Sequence, residues 1–186
     1  MFDLLKKFFI QPKTTTTKPK KRNSANIEKE IFDFELSRSE YFNKEYSNDI
    51  FKYITKLNKG QKSKEKEFLS IEEKKELKIN TRLKVPTNII PFFIKEKIVN
   101  KNPKDLISNL ANMIRSKKYL YNEVKKLKKT KNSYYKLSSV GDEKTCIWCK
   151  KMDNKVLSVN EDIIKLFNNN CKCDYPRSTT IAIIEG

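Results

Sequence analysis

Four cysteines, and no others, occur in two tight pairs, Cys146-Ile-Trp-Cys149 and Cys171-Lys-Cys173, with 21 residues between the pairs. Two close pairs bracketing a hairpin and a short helix have the spacing of a tetrahedral zinc site, because each pair supplies two thiolates from one short segment. The fold around them must therefore be small and must bring its two ends together. Zn2+ on four thiolates carries a net −2, and Lys144, Lys150, Lys151 and Lys172 stand close in sequence to offset it and to donate to the sulfurs. With four cysteine ligands the site reads as structural, since a catalytic zinc keeps an open coordination position. In so small a unit the metal supplies much of the folding free energy.

Two other readings of the same residues stay open. Four cysteines allow three disulfide pairings, and they can also remain free thiols. Residues 1–10 contain Asp3, Lys6 and Lys7 and lead into lysines without a small-residue cleavage site, which is not the pattern of a secretion signal. That points to a reducing compartment, where disulfides rarely persist. A redox Cys-x-x-Cys fits less well, because the sequence does not place the motif at a helix start in a βαβ unit and the second pair is left without a role.

Histidine is absent, which excludes within this chain Ser-His-Asp and Cys-His nucleophile systems, the HExxH helix and nucleases with a His base. No convergent Asp/Glu/Lys constellation stands out, so the chain is not expected to be an enzyme. No apolar run approaches the roughly 20 residues of a membrane span. The formal charge of +18, from 41 basic and 23 acidic residues in 186, suggests non-specific attraction to polyanions. It also fits plain codon bias, since Lys, Asn, Ile and Phe share A/T-heavy codons.

The chain divides into a basic N-terminal arm over 1–22, a helical region over 23–131 and a small α+β cysteine unit over 132–186. The arm carries seven basic residues against Asp3, with Lys18, Lys20, Lys21 and Arg22 as candidate polyanion contacts. A solvated tail is the equal alternative. In the helical region, Ser37-Arg-Ser-Glu40 reads as a capping box for a helix through Tyr41 to Leu57 that stops at Gly60. Ser70-Ile-Glu-Glu73 repeats the signal, and Pro86-Thr87-Asn88 and Asn102-Pro103 each open another helix. The last of these has one apolar stripe: Leu106, Ile107, Leu110, Met113, Ile114, Tyr121, Val124 and Leu127. Lys125, Lys126, Lys128 and Lys129 crowd its C-terminal end, either because the helix dipole favours them there or as nucleic-acid contacts.

Beyond Lys131 the pattern changes to short extended runs: SYYKLSSV, KVLSV and TTIAII, with NEDIIKLF as a short Asn-capped helix among them. Asp153-Asn154 suits a turn. Trp148 either packs over its own hairpin beside the metal or stacks on a base. The expected fold class is α+β: a mainly helical body with a small C-terminal, β-rich, zinc-knuckle-like unit on Cys146, Cys149, Cys171 and Cys173.

VGDEKTCIWCKKMDNKVLSV followed by NNNCKCDYPRSTTIAII resembles the C-terminal signature of phage Mu F-like minor head proteins, the phage head-morphogenesis family. Cys146, Cys149, Met152, Asp153, Lys155, Cys171 and Cys173 fall on the family's positions. Asn154 replaces its usual glycine, Lys172 its arginine, and Asn-Asn its His-Pro before the late cysteines; the match covers about residues 138 to 184. The resemblance implies a non-enzymatic minor head or virion-assembly protein, made in the host bacterial cytoplasm and acting near the portal or inner capsid. Its expected partners are portal and capsid proteins, phage DNA non-specifically, and further copies of itself. A small zinc-knuckle protein that binds nucleic acid is the alternative, and it explains +18 directly.

Overall fold

The computed structural model describes residues 24–60, 67–130 and 132–183. The first helix, α1 (Ser24–Arg38), buries Ile27, Ile31, Phe32 and Leu36 against the long helix α4 (Pro103–Lys129). Helix α2 (Ser47–Asn58) packs on the same pair through Ile50 and Ile54, and Phe32 meets Phe51 with ring centroids 5.0 Å apart. Between α2 and α4 lie the short α3 (Ile71–Glu76) and two 3-10 turns, Thr87–Phe92 and Lys95–Lys97.

The helix signals hold at three of the positions anticipated from sequence. Ser70 and Glu73 form a full capping box on α3, and Asn102 caps α4 with Pro103 as its first residue. Gly60 ends α2 with a φ of +69°, in the left-handed region that glycine enters without strain. The expected capping box at Ser37 does not form. Helix α1 runs on to Arg38, and the Ser37 hydroxyl donates to the Phe34 carbonyl inside it. The reason is tertiary. Phe42 is drawn into a bridge with Phe93, where the Asn43 amide donates to Phe92 (2.9 Å) and the Ile94 amide to Tyr41 (2.9 Å), so Tyr41–Asn43 is extended rather than helical. Asn43 then caps a 3-10 turn at Lys44–Tyr46 that leads into α2. The helix expected after Pro86 is likewise only a 3-10 turn, with Pro91 inside it removing a donor.

Along α4 the predicted stripe is observed: Ile107, Leu110, Met113, Ile114 and Val124 are buried, with Leu106, Tyr121 and Leu127 packed at its margin. Two further buried residues, Lys117 and Leu120, fill the gap between Ile114 and Tyr121.

The C-terminal region forms a three-stranded antiparallel sheet in the order β2-β1-β3, from β1 (Tyr134–Ser139), β2 (Val156–Ser158) and β3 (Ser178–Ala182). Tyr135 pairs with Leu157 on one side and Ala182 on the other. Tyr135, Leu137 and Leu157 are buried, whereas Tyr134, Lys136 and Val156 are exposed, as the period of two requires. The α5 helix (Ile147–Met152) follows β1, and α6 (Ile163–Asn170) follows β2. The cap of α6 is Asp162, whose carboxylate accepts from the Lys165 amide; the anticipated Asn160 is instead held in a turn by the Ser158 hydroxyl. Both α6 and β3 pack on α4, so one continuous core runs from Ile27 in α1 to Cys173. The arrangement is α+β with a helical body.

Asp153 and Asn154 form the turn before β2. The Asn154 amide donates to the Leu137 carbonyl at 2.7 Å, the Asp153 carboxylate accepts from the Ser139 amide at 2.8 Å, and Asn154 has a φ of +59°. Asparagine tolerates that region and most L residues do not. Asn154→Ala should therefore lower stability by about 1 kcal/mol and Asn154→Gly should not lower it, as read from urea unfolding midpoints.

Candidate metal centre

Each cysteine pair sits at a helix end. Cys146 is the residue before α5 and Cys149 lies in its first turn; Cys171 closes α6, its amide donating to the Phe167 carbonyl at 2.9 Å, and Cys173 follows on an irregular segment. The first pair thus does open a helix, contrary to the expectation from sequence. No βαβ unit surrounds it among the described residues, and the second pair converges on the same point.

The four sulfurs all lie within 4.8 Å of one another. Cys149 is 3.6 Å from Cys171 and 3.8 Å from Cys173. A tetrahedron of sulfurs about 2.3 Å from a central ion has edges of about 3.8 Å, whereas a disulfide requires about 2.05 Å. The spacing is that of a coordination shell, and all four cysteines are free. Two backbone amides already point at sulfur: Cys146 N–H at Cys173 Sγ (3.2 Å) and Lys172 N–H at Cys146 Sγ (3.4 Å). Such donors stabilise thiolates. Cys149, Cys171 and Cys173 are buried and Cys146 is half-buried, so the cluster is shielded on most sides.

The acidities of the thiols follow from this crowding. Cys149 donates to Cys171, which brings the Cys171 thiol down to about 6 and pushes Cys149 far above its usual range, with burial adding to the rise. Burial raises Cys173 to about 11. At Cys146 burial acts in the same direction but is outweighed by amides of Cys149 and Lys172, and the thiol falls below its usual range. Without a cation the sulfurs share protons, because four thiolates this close repel one another. An ion that prefers sulfur replaces those protons, so these residues fit a tetrahedral, thiolate-bound metal.

Two neighbours hold the site in place. Trp148 is half-buried and meets Phe167 of α6 edge-on, with centroids 5.1 Å apart and planes at 86°, which ties α5 to α6. Its packing role is thus realised between helices. Asp142 accepts from the Thr145 hydroxyl at 2.9 Å and forms an ion pair with Arg177. The loop entering Cys146 is in this way fastened to the segment leaving Cys173.

Sequence reasoning missed the most deeply buried charge in the described chain. Lys117 in the middle of α4 is 0% exposed; its ammonium pairs with Glu35 of α1 and donates to Asn168 of α6 at 2.6 Å. Glu35, 5% exposed, also accepts from Arg38 at 2.7 Å. Burial lowers the Lys117 pKa, and Glu35 and the nearby Cys171 oppose that shift. The available signal was phase: Lys117 falls three residues after Ile114, inside the apolar stripe.

Lys125, Lys126, Lys128 and Lys129 are exposed on the last turns of α4. Lys126 pairs with Glu123 at 2.7 Å, and Lys125 lies 5.8 Å from the Tyr121 ring. Eight residues separate Lys117 from Lys125, about 12 Å along the helix, so this patch does not belong to the cysteine centre. Lys18, Lys20, Lys21 and Arg22 lie outside the described residues. Among the described residues no helix is long and apolar enough to cross a membrane.

No family model matches the chain, and no curated protein or solved structure matches it.

Asp142 supplies a pH test. The Thr145 hydroxyl and Arg177 hold its carboxyl below the usual range. A depressed carboxylate stabilises fully above its unfolded value of about 3.9 and loses that contribution as pH falls through the lower folded value. Asp142→Asn should lower the melting temperature at pH 7 and lose less than the wild type between pH 5 and pH 3, as followed by circular dichroism.

Proposed function

We propose that the chain is a non-catalytic building block whose C-terminal tip is held rigid by one Zn2+ on Cys146, Cys149, Cys171 and Cys173. The observation that carries this reading is the pair of sulfur separations, 3.6 and 3.8 Å, inside a buried cluster. Four cysteines fill a tetrahedral ion's positions and leave none for substrate. The helical body is the docking element and the tip is the fixed point from which it is presented. In the reading that the cysteine signature favours, this block is a minor head or virion-assembly protein, made in a bacterial cytoplasm and seated on portal or capsid proteins, with its lysines tolerating nearby DNA.

A second reading, a nucleic-acid-binding zinc-knuckle protein, is favoured by the exposed Lys125, Lys126 and Lys129, which line one shallow depression with Tyr119, itself 48% exposed. Salt-sensitive binding with a clear sequence preference supports it, and weak binding indifferent to sequence supports the assembly role.

Protein isolated under reducing conditions should carry one zinc per chain by elemental analysis. Cys149→Ser should abolish stoichiometric binding. Chelation should move the emission of Trp148, the single tryptophan, to the red as its contact with Phe167 opens. Metal-free protein whose four thiols react independently would refute the metal-clamped tip. Particles that assemble and infect normally without this protein would refute the virion role alone.

A further inference from the structure

We infer that Lys117 is a positioning residue for the cysteine centre: its buried ammonium is a fixed, non-ligating counter-charge that favours the metal-loaded, four-thiolate state. The inference rests on the metal reading given above and adds a residue from outside the cysteine unit.

Three observations converge on it. First, Lys117 has no solvent exposure, so its charge is unscreened by water and acts strongly on its surroundings. Second, its Nζ is fixed from two sides, by Glu35 of α1 and by Asn168 of α6 at 2.6 Å. Asn168 lies in the last turn of α6, three residues before Cys171, which closes that helix. The C-terminal end of α6, which carries partial negative charge, thus holds both Asn168 and Cys171. Third, a cleft of about 240 Å³ is lined by Glu35, Arg38, Cys173 and Asp174, which places Glu35 and Arg38 on the same cleft as one of the four sulfur-bearing residues.

The charges can be summed. Lys117 is positive and Glu35 negative, so the buried pair is neutral beside a metal–tetrathiolate of net −2. Arg38 and Asp174 are exposed and their charges are largely screened. Removing the lysine leaves the buried pair at −1. Neutralising Glu35 leaves it at +1. If the network only holds helices together, both changes break the same ion pair and act alike. If it supplies counter-charge, they act with opposite sign.

The test is the Zn2+ affinity of the full chain at one fixed pH, by competition with a chromogenic chelator. The Co2+-substituted form reports by its thiolate charge-transfer bands that four sulfurs still ligate. Lys117→Met should weaken Zn2+ binding about tenfold, and Glu35→Gln should strengthen it severalfold, with unchanged Co2+ bands in both. Equal weakening in the two variants, or no change in either, overturns the inference while leaving the metal site intact. Absence of Zn2+ binding in the wild type overturns the metal reading itself. Should Lys117→Met fail to fold, Glu35→Gln decides alone: tighter binding supports the counter-charge, and unchanged or weaker binding overturns it.

Discussion

Four sulfurs gathered within 4.8 Å are the constraint on which the C-terminal half of this structure depends. Thiolates at that distance repel, and protons relieve the repulsion only in part, by alternating between donors and acceptors. The two helices that carry the cysteines have little hold of their own: α5 has six residues and α6 eight, each too short to persist in isolation. Their ends are fixed by what they share, which is the centre, the edge-on contact of Trp148 with Phe167, and the Asp142–Arg177 pair.

Beneath that centre, α4 serves both halves of the molecule. One face receives α1 and α2, and another receives α6 and β3. Lys117 lies where these faces meet. A lysine there carries a large desolvation cost, offset by Glu35 and Asn168. A leucine of similar volume satisfies packing alone. An ammonium satisfies packing and also ties α4 to α1 through Glu35 and to α6 through Asn168, three residues before Cys171.

The sequence made legible what depends on local pattern. The capping box at Ser70, the Asn102-Pro103 start, the stripe along α4, the three strands and the grouping of the cysteines are all set within a few residues of where they appear, and each was readable. What escaped was decided at long range. Ser37 looked like a helix start, but the bridge between Phe42 and Phe93, 51 residues apart, took the following segment into extended backbone. Asn160 looked like the α6 cap and lost that place to Asp162 because the Ser158 turn claimed its backbone. The buried ion pair joins residues 82 apart, so neither partner announces the other in the chain. At the candidate site the grouping of the four cysteines was readable from spacing, and the charges that surround them were not.

The order of the sheet has one last consequence. β1 is the central strand, and its partner β3 begins five residues after Cys173, so the late cysteine pair also sets where that strand is delivered. If the pair is released, β3 keeps only its ladder to β1, its packing on α4 and the Asp142–Arg177 pair, and where it frays β1 exposes a row of unsatisfied amides and carbonyls bordered by Tyr134 and Val140. Such an open edge recruits other chains. The same sulfurs that shape the tip thereby guard it against self-association, and damage to them by oxidants is expected to surface first as aggregation.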